Sequence, residues 1–160
     1  MFDTKGEAAW DSVLIATGEI GKKPAIHLYS WAPSSRTFCS LACMQGYHTR
    51  GVAQLAFSAD GTKLFSVGVE YTVALYNTDR TSPQLGKMIS SSQGPKGKVL
   101  HVSSCSPNGD KPDSFYSCGE KHVCYWNTAS GLKYEACRLD KHKNKQMMCV
   151  TRGMVSAVYS

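Results

Sequence analysis

No stretch of this 160-residue chain strings together the ~20 apolar residues that a membrane-crossing helix needs. The start, Met1-Phe2-Asp3-Thr4-Lys5, has no secretory apolar core. Both absences point to the cytosol. Apolar residues at helical spacing are also scarce, which excludes an α-rich fold. The seven cysteines (Cys39, Cys43, Cys105, Cys118, Cys124, Cys137, Cys149) include no Cys-x-x-Cys pair, and no two of the five histidines stand at zinc spacing. That excludes a zinc motif, and an odd count argues against a disulfide framework. The cysteines are expected to be small buried hydrophobes in a reducing compartment. Gly94-Pro95-Lys96-Gly97-Lys98 lacks the spacing and the Ser/Thr of a phosphate-cradling loop. Paired carboxylates are missing, since Asp60, Asp110 and Asp113 read as turn formers.

The catalytic candidates reduce to Cys124 with His122, two residues apart and therefore on one strand face, where packing is the expected role. The chain is thus read as non-enzymatic, with no cofactor and no metal. Positive charge is in modest excess, at +6, and is unevenly placed. Lys133 to Arg152 holds six basic residues against Glu135 and Asp140. Within it, Lys141, Lys143 and Lys145 suit an acidic protein surface. No aromatic residues alternate with these lysines, so nucleic acid is not expected as a partner.

What the chain does have is repetition. Leu14-Ile15-Ala16-Thr17-Gly18, Leu64-Phe65-Ser66-Val67-Gly68 and Phe115-Tyr116-Ser117-Cys118-Gly119 are each followed by a second apolar run ending in Tyr29, Tyr76 or Trp126. Those aromatics lie 47 and then 50 residues apart, and the three glycines read as one phase. A period of about 40–50 residues with several short strands per unit predicts a β-propeller of four-stranded antiparallel blades. Blades are expected over 10–44, 46–89 and 97–138, with an incomplete one over 146–160. Closed propellers carry roughly four to eight blades, so this chain alone is not expected to close the ring.

Period-two alternation places strands at Val13–Gly18, Ala25–Trp31 and Phe38–Met44, with an opening strand missing before Trp10. The second unit supplies Val52–Ser58, an Asp60-Gly61 tight hairpin, Lys63–Val67, Thr72–Asn77 and Leu85–Ile89. Val99–Cys105, a turn over 107–112, Ser114–Cys118, Val123–Asn127 and Lys133–Cys137 follow, then Gln146–Arg152 and Val155–Tyr159. Ser90 to Gly97 reads as a flexible connector. Trp10, Trp31, Tyr29, Tyr76 and Trp126 are expected in core or inter-blade packing, where each buries on the order of 150–250 Å².

Trp126-Asn127 resembles the Trp-Asp pair that ends the third strand of a WD-repeat blade, with Tyr76-Asn77 and Tyr29-Ser30 as degenerate forms. Gly46-Tyr47-His48 is similar to the Gly-His pair of such blades, with one residue inserted. The resemblance implies a buried hydrogen-bond chain of His48, Glu70, Ser66 and Tyr76. Longer phrases, Ile15 to Tyr29, Gly46 to Gly61 and Ser117 to Trp126, together with the lysine-rich connector and Met148-Cys149-Val150, resemble the echinoderm microtubule-associated protein-like family. This likeness covers about residues 12 to 160. It implies a cytoplasmic scaffold of the cytoskeleton that associates with tubulin or microtubules. The family's coiled coil and hydrophobic motif have no counterpart here. The rival is a WD-repeat scaffold of a ciliary or signalling complex with a different protein partner.

Overall fold

The computed structural model describes residues 12–104, 114–129, 131–142 and 144–151. They form eleven strands and one short 3-10 turn, Asp140–His142, with no α-helix among the described residues. The first sheet holds β1 (Val13–Gly18), β2 (Ile26–Ala32) and β3 (Thr37–Met44). The second holds β4 (Val52–Phe57), β5 (Lys63–Gly68), β6 (Thr72–Asn77) and β7 (Met88–Gln93). The third holds β8 (Val99–Ser104), β9 (Ser114–Gly119), β10 (His122–Asn127) and β11 (Lys133–Ala136). Every neighbouring pair is antiparallel and sequential. The chain is all-β, and its sheets do not close on themselves.

The second sheet lies between the other two, and the burial of its strands follows from that. β5 and β6 are buried nearly throughout, because each of their faces meets another sheet. One face (Val52, Leu64, Ala74, Tyr76) packs with Ile26, Leu28 and Met44 of the first sheet. The opposite face (Phe65, Val67, Val73, Leu75) packs with Phe115, Cys124 and Trp126 of the third. The Phe65 and Phe115 rings stack at 4.6 Å, and Trp126 lies 5.4 Å from Phe65.

The sequence repeat is also a repeat of register. Tyr29, Tyr76 and Trp126 pair with Ile15, Leu64 and Phe115 respectively. A bulge falls between Leu28 and Tyr29 in the first sheet and between Leu75 and Tyr76 in the second. Another falls between Val52 and Gln54, and again between Val99 and His101. The bulges recur at equivalent places and so belong to the repeating unit.

Several expectations are corrected. The glycines are not all in phase. Gly18 pairs with Ile26 as Val67 pairs with Val73 and Cys118 with Val123, so Gly18 sits one place earlier than Gly68 and Gly119. Its reason is contact between sheets, since a Cβ there would stand 2.6 Å from Val52 Cβ. Asp60-Gly61 is not a two-residue hairpin: residues 58–62 form the loop, and only Gly61 has positive φ, +72°. The Asp60 carboxylate instead accepts from the Ser58 hydroxyl and from the Thr62 N–H. β7 lies later than Leu85–Ile89, because Leu85 and Gly86 are held in a turn by Ser82 C=O and Asn77 C=O. Ser90 to Gln93, read as flexible, pairs with Thr72 to Leu75; serines suit an edge strand with one wet face. Residues 146–151 form one bridge and no strand. The predicted Val155–Tyr159 strand, the 107–112 turn, Trp10, Cys105, Asp110 and Asp113 lie outside the described residues.

Candidate functional site

The polar chain around His48 is built by three elements. The connector before β4 delivers His48, β5 delivers Ser66, and the β5–β6 turn delivers Glu70. His48 Nε2 lies 2.8 Å from Ser66 Oγ, and His48 Nδ1 lies 3.0 Å from Thr72 Oγ1 and 3.4 Å from Glu70 Oε1. Thr72 has one hydroxyl proton, and it goes to Glu70 Oε1 at 3.0 Å, because a carboxylate only accepts. Nδ1 therefore carries its own hydrogen and donates. The Thr49 backbone N–H also donates to Glu70 Oε1, at 2.9 Å. Glu70 Oε2 is buried with no hydrogen-bond partner among the described residues.

Burial pushes the His48 imidazole below its ordinary range, against the pull of Glu70 in the other direction. Burial pushes the Glu70 carboxyl upward, but the Thr49 N–H, its own N–H, Thr72 and His48 outweigh that and hold it below the usual range. The pair sits at the end of the second sheet, where Gly68 leaves it room: a Cβ there would stand 2.5 Å from His48 Nδ1.

Of the four signature residues in this unit, the structure joins His48, Ser66 and Glu70 and leaves Tyr76 out. The Ser66 hydroxyl donates its one proton to His48 Nε2, with Ala74 C=O further off at 3.4 Å, and Tyr76 packs in the apolar layer facing the first sheet. A tyrosine has no ring N–H to offer. Trp126 has one, and its Nε1 donates to Ser117 Oγ at 2.9 Å, Ser117 being the third-sheet counterpart of Ser66. Burial pushes the Tyr76 phenol up to about 12, with a smaller contribution from Tyr47. Sequence reasoning missed Thr72, Thr49 and Ser117. Thr72 is signalled by a hydroxyl at a strand's first position and Ser117 by being the repeat equivalent of Ser66, whereas Thr49 acts through a backbone N–H that leaves no mark in the sequence.

Lys141 is exposed within the 3-10 turn and Lys145 just after it, and Lys143 lies outside the described residues. Among the described residues, the expected burial of the cysteines holds for Cys118 and Cys124; Cys39, Cys43, Cys137 and Cys149 are exposed, on edge strands or beyond them. Cys124 and His122 share a face, but burial pushes the Cys124 thiol up to about 11, and His122 Nδ1 donates to Glu120 C=O at 3.0 Å. That thiol is neutral at physiological pH and is closed off from solvent. A cleft of about 350 Å³ between the second and third sheets is lined by Arg50, Tyr71, Lys98 and Glu120 together with the apolar Ala53, Val69 and Val99. No family model matches the chain.

Proposed function

We propose that the chain is a non-enzymatic segment of a WD-repeat propeller that binds protein, with tubulin or microtubules as the partner on the cytoplasmic cytoskeleton. The observation that carries the propeller reading is the recurrence of one register, with its bulges, in sheets packed face to face. Such sheets hold their loops on rigid ends, which suits partner binding. The His48–Ser66–Glu70 chain has a locking role here, fixing the connector to its sheet. Support for the microtubule partner comes from the sequence phrases and from the exposed Lys141 and Lys145, which match an acidic tail in charge.

Co-sedimentation with microtubules tests this. Replacing Lys141, Lys143 and Lys145 by Gln is expected to lower the bound fraction. The loss should be larger at low ionic strength, where charges act over ~30 Å, than at physiological salt, where they act over ~8 Å. Unchanged binding removes these lysines from the interface. A parent chain that does not sediment with microtubules returns the ciliary or signalling scaffold as the reading.

A further inference from the structure

The two ends of the stack are complementary. The turn after β1 is tied to the chain entering β4 by an antiparallel bridge, Ile20 with Gly51, and by Val52 N–H donating to Glu19 C=O at 2.8 Å. The turn after β9 is tied in the same way to a later piece of chain: Glu120 bridges Gln146, and Met147 N–H donates to Gly119 C=O at 3.0 Å. Ile20 and Glu120 each lie two residues beyond the equivalent pair Gly18 and Cys118, so Met147 holds the place of Val52, the first residue of β4. Residues 147–151 therefore run over the far side of the third sheet where the first strand of another sheet would begin. Cys118 Sγ donates to Met147 C=O there, and Val150 N–H reaches His101 Nδ1 at 3.4 Å. They form no ladder, because no strand lies alongside them among the described residues.

The other end has the reverse deficit. β1, β2 and β3 correspond to β5, β6, β7 and to β9, β10, β11, while no strand among the described residues pairs with β1 as β4 pairs with β5 and β8 with β9. The outward face of this sheet carries Val13, Ile15, Tyr29, Trp31 and Phe38. Val13 and Phe38 are 54% and 53% exposed, and Tyr29 is half-buried, whereas its counterparts Tyr76 and Trp126 are 4% and 0% exposed beneath a neighbouring sheet.

We propose that two copies of this chain join head to tail, residues 147–151 of each adding to the β1 edge of the other. The outward face of the first sheet then covers Tyr116, Val123 and Tyr125 on the third sheet of the second copy. Transferring the β4–β5 register sets Val150 opposite Thr17 of the other copy and Thr151 opposite Ala16. The joint repeats one already made twice within the chain, and each copy carries both of its halves, so a second copy fits the site. Two such joints give six four-stranded sheets, within the roughly four to eight that close a ring. The inference depends on the repeated register and is independent of which partner the scaffold binds.

Native mass spectrometry of the 160-residue chain and two variants tests it. Phe38→Glu charges the exposed face, and Cys149→Pro removes a backbone N–H within the exchanged segment. The parent is expected to be a dimer, and each variant alone a monomer with the parent's far-UV circular dichroism. Mixing the two variants is expected to give a heterodimer, because one joint is then intact. A monomeric parent overturns the proposal. So does a Cys149→Pro dimer, or a mixture that stays monomeric, since both mean that the copies meet first sheet to first sheet. Open polymers overturn the closed pair. If either variant unfolds, Phe38→Lys and Thr151→Pro replace them with the same expected outcomes.

Discussion

His48 and Glu70 make stability depend on pH, and the sign follows from the direction of each shift. Both groups titrate lower in the folded chain than their ordinary values. The unfolded chain therefore binds more protons in acid, and stability falls as pH falls. The His48 contribution begins to fade near its unfolded pKa of about 6.5, and that of Glu70 only near about 4.3. Urea midpoints are expected to drop between about pH 7.5 and 5.5, and His48→Gln should flatten that slope. An equally steep slope in the variant would place the titrating group elsewhere. At the same scale, Trp126→Ala leaves a cavity between Phe65, Phe115 and Tyr134 and frees Ser117 Oγ. It is expected to cost about 3–5 kcal/mol in chemical denaturation. A loss under about 1 kcal/mol would show that the indole is not part of the packed layer. Trp126 and Tyr76 were legible as buried aromatics because they close a recurring strand. Thr72 was not, because a threonine at a strand's first position looks the same whether it faces water or a histidine.

Strands were the most legible elements. β1 and β6 fall on short apolar runs closed by turn residues, and β6 is apolar on both faces because a sheet covers each of them. β7 was not legible, because at an edge Ser90, Ser91 and Ser92 meet ladder requirements that apolar patterning does not record. Turns misled for a related reason. The phase of the glycines read as one, yet Gly18 answers to a side chain in another sheet and Gly119 to its own. A Cβ on Gly119 would stand 2.0 Å from Lys98 C=O, the acceptor for Glu120 N–H. Gly119→Ala must therefore move the start of β8 or the turn before β10. A loss of about 1–3 kcal/mol is expected, as for other overpacked sites. Amide shifts should concentrate at Lys98 and Glu120; shifts spread evenly over the third sheet would refute this local account.

The order of the sheets sets the order of protection in the whole molecule. The second sheet is covered on both faces, so opening it uncovers both apolar layers at once, and its amides open only with near-global unfolding. The first sheet has one covered face and an unpaired β1 edge among the described residues, so fewer contacts oppose its opening. Hydrogen exchange in dilute solution is expected to be slowest in β5 and β6 and at least about tenfold faster in β1, a difference of ~1.4 kcal/mol or more. Equal protection across the sheets would mean that all three open together and that the exposed face of the first is not the weak side. Raising the concentration adds a separate signal. If residues 147–151 of a second copy cover β1, its amides slow with concentration while those of β5 stay fixed, because β5 gains no new neighbour. A β1 rate that ignores concentration would leave the sheet order intact and remove self-association alone.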